Sequence, residues 1–186
     1  MNIHEFEIKQ EDGIGHQVVL AHHLHKVFGQ TLLKDNKFQA LLLRLNQNIE
    51  AAQREMVSAG IVRECADCAV KGDGTCCGRR TGYKYDSILL FINLLLGKSL
   101  PIKAQDPHLC YFLTKEGCSL NARHVICVNF ICQRLRKNIQ HDKLIRLQEI
   151  TGEELNTLFI IEEYIKKKIK FNPINPNNAD TVQKFI

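Results

Sequence analysis

The spacing of apolar residues along the chain predicts a mostly helical protein. Between residues 38 and 56, apolar side chains recur every three or four positions and therefore fall on one face of a helix. Asp35 or Asn36 can cap the start of this helix, and Gly60 follows as a C-terminal cap. The helix is therefore expected to end shortly before Cys65 and to lead into a cysteine-rich loop.

The same kind of pattern predicts further helices along the chain. The run from Ser87 to Leu96 is apolar on nearly every side, which places it in the core, and Asp86 can cap it. Thr151 and Glu154 form a capping box that would open the last helix. The remaining helices are predicted over residues 18–28, with Gly29 as the stop, over 130–138 and over 141–149, and the last one reaches Lys168.

Strands are predicted at only two places. Two apolar segments flank the turn sequence TKEG within residues 110–121, which indicates a small β-hairpin. Residues 3–8 alternate loosely and predict a short strand. The expected fold class is therefore mostly α (α+β), in which helices flank a central cysteine-rich metal-binding segment that includes the hairpin.

The length and composition favour one domain with a short tail. The chain has 186 residues, of which 45% are hydrophobic, enough to bury a core without disulfide bonds. We expect a single domain over residues 1–170, with an N-terminal helical part (1–63), a cysteine-cluster region (64–132) and C-terminal helices (133–170). Residues 171–186 are rich in Asn and Pro and predict an extended or disordered tail.

The N-terminal sequence and the longest apolar run favour a cytoplasmic protein without a membrane segment. The start, MNIHEFEIKQEDG, carries charges throughout and lacks the apolar core of a signal peptide. The run over residues 87–97 is too short to span a bilayer. In the reducing cytoplasm, clustered cysteines usually bind metal or take part in redox reactions.

The positive charge gives little support for nucleic-acid binding. The net charge is +5, and Lys166, Lys167, Lys168 and Lys170 lie near a predicted helix end, where they complement the helix dipole. The chain has no tryptophan, so stacking on bases has little support. We do not expect a nucleic-acid partner, and the helical flanks leave a protein partner open.

The cysteines are the feature that points to chemistry. All eight lie within residues 65–132, in two groups: Cys65, Cys68, Cys76 and Cys77, then Cys110, Cys118, Cys127 and Cys132. A two-residue gap lets two thiolates bind one ion, and nearby glycines let the loop bend around it. Because neighbouring side chains tend to point apart, the adjacent pair Cys76–Cys77 favours a site with more than one metal atom.

Zinc and an iron–sulfur centre both remain open from the sequence, because both take four thiolates. Cys132 lies in the apolar stretch VNFIC and could equally pack in a core. His108 and His124 are near enough in sequence to substitute for a thiol or to support one. Arg79 and Arg80 could solvate the loop, or they could balance the charge of thiolates.

The order of these cysteines resembles the YkgJ-like family of proposed zinc- or iron-chelating cysteine-cluster proteins. The resemblance covers about a third of the chain and rests on the C-x2-C and C-C pairs, the segments CYFL and CSLN, Arg123, Cys127 and Cys132. His124 stands where the family pattern has proline, and Val128 stands where arginine is common. The resemblance implies a metal site built from the eight cysteines. Some relatives are linked to protein lysine methylation.

These observations predict a metal-binding cysteine-cluster protein that holds zinc or an iron–sulfur centre in a structural or redox role. Hydrolysis is disfavoured, because no carboxylate–histidine pattern accompanies the cysteines. The alternative is a metal-dependent enzyme that modifies a protein or a small molecule. Whether the chain is an enzyme stays open at this point.

Overall fold

The computed structural model describes residues 13–71 and 76–171, and these residues are mostly helical with one small hairpin. The predicted fold class is therefore confirmed. The elements are α1 (Gly13–Leu33), α2 (Asn36–Ser58), α3 (Ile61–Lys71), α4 (Arg79–Gly82), α5 (Ser87–Leu95), β1 (Leu113–Thr114), β2 (Gly117–Cys118), α6 (Val125–Asn129), α7 (Gln133–Asn138) and α8 (His141–Phe171). The strand predicted at residues 3–8 lies outside the described residues, and so do residues 172–186 of the tail predicted over 171–186, whose first residue ends α8.

Two apolar cores hold these elements together. In the main core, α1 packs on the buried helix α5, and α2 packs along α8, around fully buried Phe38, Phe91 and Phe112. A satellite core forms where the end of α2 meets α6, α7 and the start of α8, around Met56, Val128, Leu135 and Leu147. The cysteine-rich segment connects the two cores, because its residues contribute to both.

The helix α5 confirms the prediction for residues 87–96 to within one residue. Asp86 caps it, with its side-chain Oδ1 accepting a hydrogen bond of 2.8 Å from the Leu89 amide. Leu90, Phe91 and Ile92 are fully buried, as expected for a helix that is apolar all round. Within the described residues, no helix combines the length and the apolar character needed to cross a membrane.

The capping box predicted at Thr151 and Glu154 is wrong, because both residues lie inside the continuous helix α8. The Thr151 hydroxyl instead donates to the Leu147 carbonyl at 2.9 Å, which satisfies it within the helix. Glu154 is fully buried. The pattern of a capping box has the same spacing as an interior helical turn, and here the buried face of α8 continues through it.

Other element boundaries also differ from the predictions. Helix α1 does not stop at Gly29, which is buried with the His25 ring packed 3.2 Å from its missing Cβ position. The backbone turns at Gly60, whose φ of +81° suits glycine, and the helix α3 begins directly after it. Cys65 and Cys68 therefore lie in a helix rather than in the expected loop. The helix predicted over 130–138 begins only at Gln133.

One polar contact joins the start of α2 to the end of α8. The Asp35 carboxylate caps α2 by accepting from the amides of Lys37 and Phe38. The same carboxylate accepts from the Tyr164 hydroxyl at 2.7 Å and pairs with the Lys168 ammonium at 2.9 Å. The hydrogen bonds from Lys168 and Tyr164 lower the pKa of Asp35 well below its usual range.

Asp35→Asn is expected to destabilise the chain at neutral pH, although asparagine keeps the helix cap. Because the pKa of Asp35 is lowered in the folded state, its contribution is present above its unfolded pKa and is lost as the pH falls below about 4. Urea unfolding of both chains from pH 7 to pH 3 measures this. Lys168→Met should behave like Asp35→Asn, whereas Lys167→Met, at an exposed position, should resemble the wild type.

Candidate metal centre

The structure gathers all eight cysteines into one neighbourhood, although they come from six different places in the chain. Each thiol interacts electrostatically with at least one other, and these interactions link all eight into a single network. The contributing places are α3 (Cys65, Cys68), the turn before α4 (Cys76, Cys77), the segment before β1 (Cys110), β2 (Cys118), α6 (Cys127) and the N-cap of α7 (Cys132). Most of these interactions fall within two sets of four thiols, and Cys76 interacts with members of both sets.

The first set, which we call the α3-side set, consists of Cys65, Cys68, Cys76 and Cys132. Its two helical members are three residues apart and so share one face of α3. Cys132, the N-cap of α7, is brought to that face by Glu64. The Glu64 carboxylate accepts from Arg134 Nε at 2.9 Å and from Asn138 Nδ2 at 2.8 Å. These bonds position Cys132 beside Cys65 and account for its place at the edge of the satellite core.

The second set, the hairpin-side set, consists of Cys77, Cys110, Cys118 and Cys127. A backbone hydrogen bond of 2.8 Å from the Cys110 amide to the Cys77 carbonyl joins its first two members. A β-bridge between Gly78 and Leu109 continues this contact. Cys118 lies opposite Leu113 in the hairpin. The hairpin therefore has a clear role, which is to hold two cysteines against the turn that contains the adjacent pair.

Tyr85 supports the hairpin-side set from the main core. Its hydroxyl donates toward the Cys127 sulfur at 3.4 Å and accepts from the His124 amide at 3.3 Å. Burial raises the pKa of Tyr85 well above its usual range, so the hydroxyl keeps its proton. No spacing motif marks Tyr85 in the sequence, since it precedes α5 and meets α6 only in the folded chain.

Asn93 fixes the segment that precedes α6. This fully buried side chain donates to the Ala122 carbonyl at 2.8 Å and accepts from the amides of Asn121 and Ala122 at 2.9 and 3.1 Å. It also donates to the Leu89 carbonyl within α5. Its signal in the sequence is a single amide in the otherwise apolar run SILLFINLLLG.

The adjacent pair connects the two sets. Cys76 and Cys77 hydrogen-bond to each other through their thiols, so the expectation that these side chains point apart is wrong for the sulfurs themselves. Beyond the pair, Cys76 interacts with Cys65 and with Cys127, whereas Cys77 interacts with Cys110 and Cys127. The shared hydrogen bond lowers the pKa of Cys76 and raises that of Cys77.

Several of the other thiols are held in the protonated form. Desolvation and the nearby thiols of Cys76, Cys132 and Cys68 raise the pKa of Cys65 to about 11. Burial also raises the pKa of Cys110 to about 11. Within residues 13–71 and 76–171, no three Cys, His, Asp or Glu side chains form a ready-made metal-binding group. Binding of a metal by these thiols would therefore require protons to leave and side chains to converge.

The other candidate residues have local roles. His124 caps α6 through Nδ1, which accepts from the Ile126 amide at 3.2 Å. His108 is exposed, and its amide donates to Asp106. Arg79 begins α4, and its Nε donates to the Tyr83 hydroxyl at 3.2 Å. The described contacts therefore place neither histidine among the cysteine sulfurs.

A cavity of about 280 Å³ lies beside the hairpin-side set, on the α4 side. Its lining includes Ile14, Arg79, Gly82, Lys103 and Tyr111. Gly82 separates the cavity from the cluster, because a Cβ at this position would meet Tyr111 at 3.2 Å and the Cys110 sulfur at 3.8 Å. The cavity is therefore next to the cysteines, with two cations on its wall.

Comparisons of the chain with protein-family models, with curated proteins and with solved structures found no match.

Proposed function

We propose that the chain is a metal-binding protein whose eight cysteines, Cys65, Cys68, Cys76, Cys77, Cys110, Cys118, Cys127 and Cys132, hold zinc or an iron–sulfur centre in a structural or redox role. The observation that carries this proposal is the gathering of every cysteine of the chain into one network from six separate places. In a protein that needed thiols only as small apolar side chains, such a collection would have no purpose.

The donor chemistry supports the proposal. Among the described residues, the interactions that link the network run between thiols, which suits a closed four-thiolate zinc site or an iron–sulfur cluster better than an open hydrolytic site. Two sets of four thiols match two zinc ions, or one cluster with further thiols beside it. When bound, zinc would cross-link the segments, and an iron–sulfur cluster would add the capacity to exchange an electron.

The first test measures metal and sulfide in the protein as isolated. The chain is purified without oxygen, and zinc, iron and acid-labile sulfide per chain are determined together with the visible spectrum. We expect either stoichiometric zinc in a colourless protein or iron with sulfide in a brown one. A folded chain with neither metal, in which all eight thiols react freely with a thiol reagent, would overturn the proposal.

Cysteine-to-serine variants then test the division into two sets. If two zinc ions bind, the pair Cys65→Ser and Cys132→Ser should leave roughly half of the zinc, because both ligands belong to one set. The pair Cys65→Ser and Cys127→Ser should abolish binding, because it damages both sets. For a single iron–sulfur cluster, serines in one set should remove it and serines in the other should not. Equal losses from every pair would contradict the two-set arrangement.

A second candidate function is a metal-dependent enzyme that modifies a protein or a small molecule. The cavity beside Cys110 favours it, because a substrate held there would lie next to the cluster. The melting temperature of the metal-loaded chain, measured with and without each of a panel of small organic anions, tests this candidate. Ala104→Trp, which fills the cavity, provides the control and should remove any shift without changing the metal content.

A further inference from the structure

Arg123 is a cation with a buried nitrogen that has no hydrogen-bonding partner within the described part of the chain. Its Nε atom is fully buried, and no acceptor for it exists among the described residues. Its Nη2 atom lies 3.4 Å from the Met56 sulfur, which is a weak acceptor. Arg123 as a whole is half-buried, and a partly desolvated cation is stabilised by negative charge in its surroundings.

The groups around Arg123 that can supply negative charge are mainly cysteines. The guanidinium interacts electrostatically with the thiols of Cys65, Cys118 and Cys127 and with the carboxyl group of Glu154. One of these thiols belongs to the α3-side set and two belong to the hairpin-side set. A single cation therefore acts on both sets.

The position of Arg123 is fixed from both ends. The backbone before it is held by Asn93, and the amide after it, that of His124, donates to the Tyr85 hydroxyl. The far end of the side chain reaches α2 at Met56, a residue of the satellite core against which Cys132 packs. The guanidinium is therefore directed to the side of the cluster where α2, α3 and α6 meet.

Other arginines near the cluster already have their own partners. Arg134 interacts with Cys68, yet its Nε pairs with Glu64 at 2.9 Å and its Nη2 with Asp67 at 3.7 Å. Arg79 lies at an exposed position in α4 and donates to Tyr83. The sequence suggested Arg79 and Arg80 as the cations that balance thiolate charge. In the structure, Arg123 is the better candidate for this role.

Building on the metal centre proposed above, we propose that Arg123 is the internal counter-cation of the cysteine cluster. Four thiolates around one zinc ion carry two net negative charges, and a half-buried cation beside them offsets part of that charge. Arg123 is thus a positioning residue: it binds no metal, and its charge balances that of the sulfur ligands that do. Its charge should matter more than its hydrogen bonds.

The test compares Co²⁺ binding by the metal-free full-length chain and its variants, followed by the sulfur-to-cobalt absorption bands. Arg123→Met should weaken Co²⁺ binding by about 10- to 100-fold, the usual effect of losing a group that supports metal ligands. Arg123→Lys should recover most of the affinity, because it restores the charge. Arg54→Met, at an exposed position on α2, is the matched control and should bind like the wild type.

The outcomes separate this inference from the proposed function. A wild-type chain that binds no Co²⁺ through thiolates overturns both. A wild type that binds, with an Arg123→Met variant of equal affinity, overturns only the role of Arg123. Lysine and methionine variants that are equally weak would also overturn it, because packing rather than charge would then be responsible. If the methionine variant does not fold, Arg123→Gln replaces it, and equal affinity for the Gln and Lys variants counts against the proposal.

Discussion

Replacing Asn93 with alanine should destabilise the metal-free chain by about 4 kcal/mol. The variant loses three hydrogen bonds between α5 and residues 121–122, and it leaves the amide and carbonyl of fully buried Ala122 without partners. Each buried polar group left unsatisfied costs about 1–3 kcal/mol, and the cavity left by the amide adds to that. Urea unfolding at pH 7, monitored by circular dichroism, measures the change.

Asn46→Ala is the matched control for this prediction. Asn46 is half-buried, and among the described residues its side chain donates to Glu50, on the same face of α2, so its replacement should change the stability by no more than about 0.5 kcal/mol. Equal stabilities of the two variants would show that the segment before α6 is not held by Asn93. That result would also weaken the case for Arg123, whose backbone depends on the same bonds.

The helices that the sequence predicted well are those with an uninterrupted apolar face. The helix α2 was predicted correctly, with Asp35 as one of its two candidate caps, and so were α5 and the position of the hairpin. Periodicity identifies such elements because the same face stays buried along their whole length. The errors at Gly29 and at Thr151 have the opposite origin, since a local stop or start signal was overridden by tertiary packing.

The composition of the cysteine cluster was predictable, but its arrangement was not. Sequence order suggested one group of four before α5 and one group of four after it. The folded chain instead places Cys132 with Cys65, because the bonds of Glu64 to α7 bring these residues together. The environment of Arg123 also depends on segments far apart in sequence, and a local sequence pattern cannot predict such contacts.

Glu154 was predicted to lie in the first turn of a helix but is buried inside α8, and this burial makes it sensitive to pH. It is fully buried in α8, and neither carboxyl oxygen has a hydrogen-bonding partner among the described residues. Burial raises the pKa of Glu154 from 4.5 to about 7, whereas the charge of Arg123 opposes the rise. The folded chain therefore keeps a proton that the unfolded chain releases between about pH 4.5 and pH 7.

Glu154→Gln should consequently raise the free energy of unfolding at pH 8 by about 3 kcal/mol, since each unit of pKa difference corresponds to about 1.4 kcal/mol. The gain should shrink as the pH falls through the window from 7 to 4.5 and should vanish below it, where both side chains are neutral. Glu153→Gln, at the exposed neighbouring position that pairs with Arg44, should show no comparable gain. Urea unfolding of the three chains from pH 4 to pH 8 makes the comparison. A Glu154→Gln variant that is less stable than the wild type at pH 8 would show that the carboxylate is ionised and paired with Arg123, so that this cation would be shared with Glu154 and less available to the thiols.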